Sequence, residues 1–300
     1  MKKSLSVLIL FILFFSGCTS SNPSNDKLNV IVTLFPQYDM VRSIAQDKVN
    51  VSLLLPAGVE PHAYEPTPST LIEINQSDLF IYTSDIMETW ISHVFQDLTD
   101  KGPVVVDSSI GVSLLTHSDE DGEEYDPHFW LDPINTKIMV SNVLKGLIQI
   151  DPDNTEFYQT NADEYLSKLD ELDDAYVDLF SRVKTNKLIY GGHFAFGYLS
   201  SRFNIDILSP YSGYSPDAEP SVSSLSELLD TMNTYEIKVI FYEELIDPKI
   251  ARIISEQTNA TIDVLHGGHN ISKEEMDQGI TYFDLMYANI EKLKGALNYE

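Results

Sequence analysis

Four histidines occupy positions from which their side chains could share one metal ion. His62 lies beyond the apolar run VNVSLLLP, His193 follows KLIYGG, and His266 follows ATIDVL. His128 lies between two Asp-Pro steps in DPHFWLDP. The apolar runs predict buried strands, and open parallel sheets hold ligands beyond the carboxyl ends of their strands. Imidazoles gathered from separate strand ends are typical ligands of a divalent transition metal.

The neighbouring residues fit such a site, although no pair of these histidines has the short spacing of an HxxxH or CxxC motif. Glu60, Asp126 and Asp132 are candidates for carboxylates that bind the metal or accept a hydrogen bond from a ligand imidazole. Taken singly, each histidine fits a structural role better than a ligand role, and it is their shared placement that favours a metal site. His117 belongs to an acidic run, 117–126, which is either a solvated loop or a weak metal-collecting segment.

The elements that must position these histidines alternate between strand and helix patterns in both halves of the chain. LNVIVTLF, VNVSLLLP, DLFIYTS and PVVVDSS predict four strands in the first half, and KLIYGG, IDILSP, IKVIFYE and ATIDVL predict four in the second. Alternation of this kind predicts parallel sheets with crossover helices. We therefore expect an α/β fold with two lobes, at 28–150 and 186–300.

The segment 151–185 between the lobes predicts one long helix. Its apolar residues recur in steps of three and four, which places them on a single face: Tyr158, Ala162, Tyr165, Leu169, Leu172, Tyr176, Leu179 and Val183. A coiled coil would have the same pattern. A single helix between two α/β halves is more consistent with a stiff connection that packs along both lobes.

The amino terminus predicts export. Residues 1–17 combine two lysines, an apolar run and small residues, as in a signal peptide, and FSGC resembles a lipobox with Cys18 as the lipid attachment site. Residues 18–27 then form a polar tether at the outer face of the membrane. A plain signal peptide with an incidental cysteine is the alternative. The net charge of −27 argues against a nucleic-acid partner.

Five segments together resemble one known family: GVEPHAYEPTPS, DPHFWLDP, GGHFAFGYL, PDAEPS and ITYFDLMYANIEKLKGAL. They are similar, in the same order, to motifs of the metal-binding lipoproteins of ABC importers, the ZnuA/TroA-like solute-binding proteins. The resemblance implies two lobes joined by one long helix, with Zn²⁺ or Mn²⁺ between them. It places His62, His128 and His193 on three ligand positions, and implies a monomer that delivers the ion to an ABC permease without catalysing a reaction.

This chain differs from the family at the fourth ligand position, where many members have a carboxylate. This chain has VLHGGHN there, which makes His266 the first candidate and His269 the second. Glu60 or a water molecule could complete the site instead. Neutral imidazoles favour Zn²⁺, whereas manganese sites in the family retain carboxylates, so Mn²⁺ is the alternative cargo.

Two other functions fit parts of the sequence. A zinc hydrolase would need an open coordination position and a base such as Glu60, and the chain has no HExxH motif. A surface adhesin could use the same fold and the same lipid anchor.

Overall fold

The computed structural model describes residues 27–59, 61–62, 64–99, 101–119, 122–192, 195–211, 220–245 and 247–300. Predictions for the signal peptide, Cys18, Glu60 and His193 lie outside these residues. Within them, no helix combines the length and the apolar character that crossing a membrane requires. The chain forms two α/β lobes, each built on a four-stranded parallel sheet, as the sequence predicted.

The sheet of the N-terminal lobe has the strand order β2-β1-β3-β4. Its strands are β1 (Leu28–Val32), β2 (Val49–Leu53), β3 (Leu79–Tyr82) and β4 (Val104–Asp107). The helices of this lobe are α1 (Phe35–Ala45), α2 (Pro68–Gln76), α3 (Ile91–Asp97) and α4 (Pro133–Ile150). Helices α2 and α4 begin at a side-chain cap, from Thr67 and Asp132 respectively, and a proline follows each cap.

A β-hairpin occupies the acidic run that the sequence indicated as either a solvated loop or a weak metal-collecting segment. Strands β5 (Thr116–Asp119) and β6 (Gly122–Tyr125) pair in antiparallel fashion, with Thr116 opposite Tyr125. The hydrophobic pattern could not predict these strands, because an antiparallel ladder requires only backbone hydrogen bonds and these residues are mostly polar.

The sheet of the C-terminal lobe has the strand order β10-β9-β7-β8. Its strands are β7 (Lys187–Tyr190), β8 (Asp206–Leu208), β9 (Val239–Tyr242) and β10 (Thr261–Val264). Its helices are α6 (Gly197–Phe203), α7 (Val222–Thr234), α8 (Lys249–Thr258), α9 (Lys273–Gln278) and α10 (Tyr282–Ala296). All strands of this sheet run parallel, so their carboxyl ends, and the segments that follow them, lie at one edge.

Helix α5 (Thr155–Ser181) is the long connection that the sequence predicted. Its 27 residues span about 40 Å, and its buried face is the predicted stripe from Tyr158 to Leu179. It packs against α1 and α4 of the N-terminal lobe and against α10, which follows the last strand of the C-terminal lobe. One hydrophobic core therefore continues through both lobes and includes the apolar face of this helix.

Candidate metal centre

Three imidazoles meet where the two lobes face each other. His62 and His128 come from the N-terminal lobe and His269 from the C-terminal lobe, and one ligand atom from each lies within 4.8 Å of the others. The Nε2 atoms of His62 and His128 are 3.2 Å apart. A tetrahedral zinc site with Zn–N bonds of about 2.0–2.1 Å has N–N edges of about 3.3 Å. The spacing therefore suits one shared ion.

His128 is held by a buried carboxylate on the side away from the cluster. Oδ1 of Asp126 lies 2.8 Å from Nδ1 of His128 and accepts a hydrogen bond from its backbone N–H at 2.9 Å. A hydrogen bond from Nδ1–H leaves the lone pair on Nε2, the nitrogen that faces His62. Burial raises the pKa of Asp126 to about 8, the backbone N–H of His128 opposes this rise, and the charge of Glu124 adds to it.

His269 lies in a narrow space between Trp130, Glu244 and the backbone of Gly267. Its ring meets the indole of Trp130 edge-on, with centroids 5.2 Å apart, and the indole N–H donates to the Gly267 carbonyl at 2.8 Å. A Cβ at Gly267 would lie 2.6 Å from Nδ1 of His269, closer than real side-chain contacts. A side chain at position 267 would therefore displace the imidazole of His269, which occupies that space.

Glu244 supports the same imidazole. Its Oε2 accepts a hydrogen bond from the Gly267 N–H at 2.7 Å, and its Oε1 lies 3.5 Å from Nδ1 of His269. Burial alone would raise the pKa of Glu244, but the charges of His266 and His269 and the hydrogen bonds to this carboxylate lower it to about 2. Glu244 was not among the predicted site residues, although it lies two positions beyond the end of strand β9, the kind of position that singled out the histidines.

The loop that carries His62 is fixed from the opposite lobe. The buried side-chain amide of Asn270 donates to the carbonyls of Pro56 and Val59, each at 2.8 Å. The backbone N–H of Gly58 donates to the carbonyl of Ile271 at 2.9 Å. His62 itself is half-buried, whereas His128 and His269 are buried, so His62 is the most solvent-exposed imidazole of the cluster.

The structure brings His269, the second candidate, to the cluster in place of His266. Nδ1 of His266 lies 2.9 Å from the backbone nitrogen of Gly268 and 3.2 Å from Oε1 of Glu244, so that nitrogen is occupied in either tautomer. Its Nε2 faces Glu275 at 3.9 Å and lines a separate cavity. The two glycines after His266 turn the chain, and this turn carries the next histidine towards the cluster.

Of the predicted carboxylates, Asp126 contacts a ligand candidate and Asp132 acts elsewhere. Asp132 accepts from the backbone N–H of Ile134 at 3.0 Å and pairs with Arg202 at 2.9 Å, so it caps α4 and ties it to the C-terminal lobe. Glu60 and His193 lie outside the described residues. Gly192, which directly precedes His193, follows the carboxyl end of strand β7.

Two parallel-sheet lobes that share a long helix, with ligand candidates where the lobes meet, define the class of two-lobed solute-binding proteins. Comparison with known proteins narrows this class. Residues 30–296 match the ZnuA family, described as "Zinc-uptake complex component A periplasmic". The chain belongs to this family.

Individual relatives agree with this assignment. The high-affinity zinc uptake system protein ZnuA of Bacillus subtilis (strain 168) is 36% identical, over 93% of this chain and 90% of its own length. The zinc-binding lipoprotein AdcA of Streptococcus pneumoniae is 33% identical over the whole chain, which spans 62% of AdcA.

Solved structures give the same result. The Zn(II)-bound ZnuA-like domain of Streptococcus pneumoniae AdcA has a TM-score of 0.79 and 32% identity, covering 91% of this chain and 99% of that domain. The laminin-binding protein Lmb of Streptococcus agalactiae, described as bifunctional with adhesin and metal transporting activity, has a TM-score of 0.80 and 30% identity, covering 90% and 99%. The predicted family and fold are thereby confirmed.

Proposed function

We propose that this protein captures Zn²⁺ between its lobes and delivers it to the permease of an ABC importer. The observation that carries the proposal is the convergence of His62, His128 and His269 with ligand atoms within 4.8 Å. Zinc uptake by the relative from Bacillus subtilis and the Zn(II)-bound domain of AdcA support the choice of cargo. The protein acts as a binding and delivery component, and no chemical step is required of it.

We propose His193 as a fourth ligand. It follows strand β7, which neighbours β9, and its motif GGHFAFGYL resembles a ligand motif of the family. Four imidazoles would close a tetrahedral site, as expected for an ion that is carried rather than used to activate water. Glu60 precedes the loop residue His62 by two positions and is the alternative fourth ligand.

Zn²⁺ is favoured over Mn²⁺ by the donor atoms of the cluster. Imidazole nitrogen suits zinc, whereas manganese prefers carboxylate, carbonyl and water oxygen. Among the residues that the structure describes, the carboxylates of Asp126 and Glu244 contact imidazole rings of the cluster and so support nitrogen ligands. Competition between the two metals on the full chain tests this choice, and displacement of zinc by manganese at similar concentrations would reverse it.

Exchange of single histidines tests the ligand set. We expect His62→Ala and His269→Ala each to weaken zinc binding by orders of magnitude, because each removes a nitrogen donor from the cluster. His266→Ala is the matched control from the same turn, and we expect a smaller change because its ring faces a different cavity. Competitive titration against a fluorescent chelator measures all three. Equal losses for His266→Ala and His269→Ala would contradict the ligand set.

The protein acts outside the cytoplasm, as periplasmic components of this family do. We further propose that Cys18 carries a lipid that holds a monomer at the membrane surface. The FSGC motif supports this anchor, and AdcA is likewise described as a lipoprotein. Metabolic labelling with a palmitate analogue tests it, and label retained in Cys18→Ser would contradict it.

Adhesion is a second candidate function because Lmb, which has a similar structure, is described as an adhesin with metal transporting activity. If adhesion is independent of zinc, His128→Ala loses zinc binding and retains binding to immobilised laminin. A zinc hydrolase remains a remote alternative, and ester hydrolysis that disappears in Glu60→Gln would support it.

A further inference from the structure

A divalent ion held by neutral imidazoles brings two positive charges into a buried site. Ionic groups are costly in such surroundings unless opposite charges lie close by. Two buried carboxylates lie against the rings of the proposed ligands: Asp126 against His128, and Glu244 against His269. When both carboxylates are ionised in the metal-bound protein, their two negative charges match the charge of the ion.

We propose that Glu244 is a positioning and charge-balancing residue of the metal site, acting through His269. The inference rests on the proposed function, since it presupposes that the cluster binds a divalent ion. It assigns to Glu244 a role in selecting divalent cations, and gives the C-terminal lobe the same carboxylate–imidazole arrangement that Asp126 and His128 form in the N-terminal lobe.

The geometry around Glu244 suits this role. The side chain of Glu244 is 8% exposed, and the 2.7 Å hydrogen bond from the Gly267 N–H fixes Oε2. Oε1 faces Nδ1 of His269 at 3.5 Å, and a proton on Nδ1 leaves the lone pair on Nε2 for the ion. Trp130 and Gly267 bound the same ring, so it has little room to rotate out of this orientation.

A structural role for Glu244 is the competing explanation. Its hydrogen bond to Gly267 and its contact with Nδ1 of His266 at 3.2 Å could simply hold the 266–269 turn, in which case its charge would be irrelevant to the ion. The two roles differ in their dependence on the charge of the bound cation. The attraction between a carboxylate and a cation is proportional to the charge of the cation, whereas a displaced imidazole is a worse ligand for every cation.

The test therefore compares a divalent and a monovalent cation on Glu244→Gln, which keeps the shape and removes the charge. We expect Zn²⁺ affinity to fall roughly 10- to 100-fold, as is typical when a partner of a metal-binding histidine is lost. Ag⁺, titrated in chloride-free buffer, also binds nitrogen ligands and carries half the charge. Its affinity should fall only about 3- to 10-fold.

Glu275→Gln is the matched control. Glu275 faces His266 in the same lobe, and among the described residues it touches none of the proposed ligands. We expect its zinc affinity to stay within about twofold of the parent protein. Glu244→Asp keeps the charge, so it should bind zinc more tightly than Glu244→Gln, and it provides a second variant if the first folds poorly.

Three results would overturn the inference: unchanged zinc affinity in Glu244→Gln, equal losses for Zn²⁺ and Ag⁺, or Glu244→Asp as weak as Glu244→Gln. Failure of the proposed function gives a different result, because His128→Ala would then leave zinc binding unchanged. Thermal unfolding of the metal-free variants verifies that each one is folded.

Discussion

Gly267→Ala should displace one proposed ligand without altering any polar group. The new Cβ would lie 2.6 Å from Nδ1 of His269, and ordinary contact begins at 3.4 Å. Cε1 of the same ring would lie closer still, so the ring must retreat by at least about 0.8 Å, or the turn must shift by a similar distance. Glu244 and Trp130 contact the ring as well, so it cannot move freely.

A displacement of this size matters because zinc–ligand distances vary by only about 0.2 Å among well-formed sites. The variant should lose most of the contribution of His269. We expect zinc affinity to fall at least as far as after loss of an outer hydrogen-bond partner, roughly 10- to 100-fold. This corresponds to about 1.4–2.8 kcal/mol of binding free energy.

Competitive titration of the full chain with a zinc-sensitive chelator measures this loss. Gly295→Ala is the matched control, since its Cβ would meet nothing within 4 Å in helix α10. That change should leave zinc affinity unaltered and increase the free energy of unfolding by up to about 1 kcal/mol, because alanine favours helix over glycine.

A double variant separates this displacement from other effects of Gly267→Ala. In the Gly267→Ala background, His269→Ala should cost little further affinity, because the ring has already left its position. Zinc binding by Gly267→Ala within twofold of the parent protein, alongside a large loss for His269→Ala alone, would refute the steric argument.

Three further predictions concern protons, the lobe contact and the long helix. Burial raises the pKa of Asp126 from 3.8 to about 8, so its protonation stabilises the metal-free fold fully below pH 3.8, and this contribution is lost as the pH rises to about 8. The free energy of unfolding of metal-free Asp126→Asn should therefore fall less than that of the parent protein between about pH 5 and pH 8, and an equal fall would contradict this. Asn270→Ala removes the hydrogen bonds to the carbonyls of Pro56 and Val59. The free energy of unfolding in denaturant should fall by about 1–3 kcal/mol, and zinc release measured by stopped flow should become faster. An unchanged release rate would show that the loop does not depend on these hydrogen bonds. Leu172→Ala opens a cavity in the buried face of α5. The free energy of unfolding should fall by about 2–5 kcal/mol, while zinc affinity stays unchanged. A loss of zinc affinity would show that the helix is coupled to the metal site.

Hydrophobic periodicity predicted the elements that bury apolar side chains. The two sheets consist of the eight apolar runs, and the face of α5 buries seven of the eight residues of the predicted stripe. The β5–β6 hairpin was missed for the same reason, because its backbone pairing leaves no apolar pattern. Burial therefore determined which elements could be predicted from the sequence.

The sequence predicted the location of the metal site better than the identity of its ligands. The position of His128 between Asp-Pro steps and that of His62 beyond β2 pointed to the place where the lobes meet. The choice between His266 and His269 depended on the turn at Gly267 and Gly268, the second of which adopts a φ of +70°. Spacing alone does not reveal which of two histidines a glycine turn directs towards a neighbouring lobe.

The attachment of the 56–59 loop to Asn270 and Ile271 affects how cargo leaves. His62 and His128 lie in one lobe, yet the loop before His62 is hydrogen-bonded to the other lobe. Rotating the lobes apart would therefore strain the hydrogen bonds of this loop to Asn270 and to Ile271 at the same time. Pulling this loop outward would withdraw a single imidazole and leave His128 and His269 in place. We expect unloading to begin with that stepwise loss of one donor, so the surface around this loop is where a transport partner would have to act.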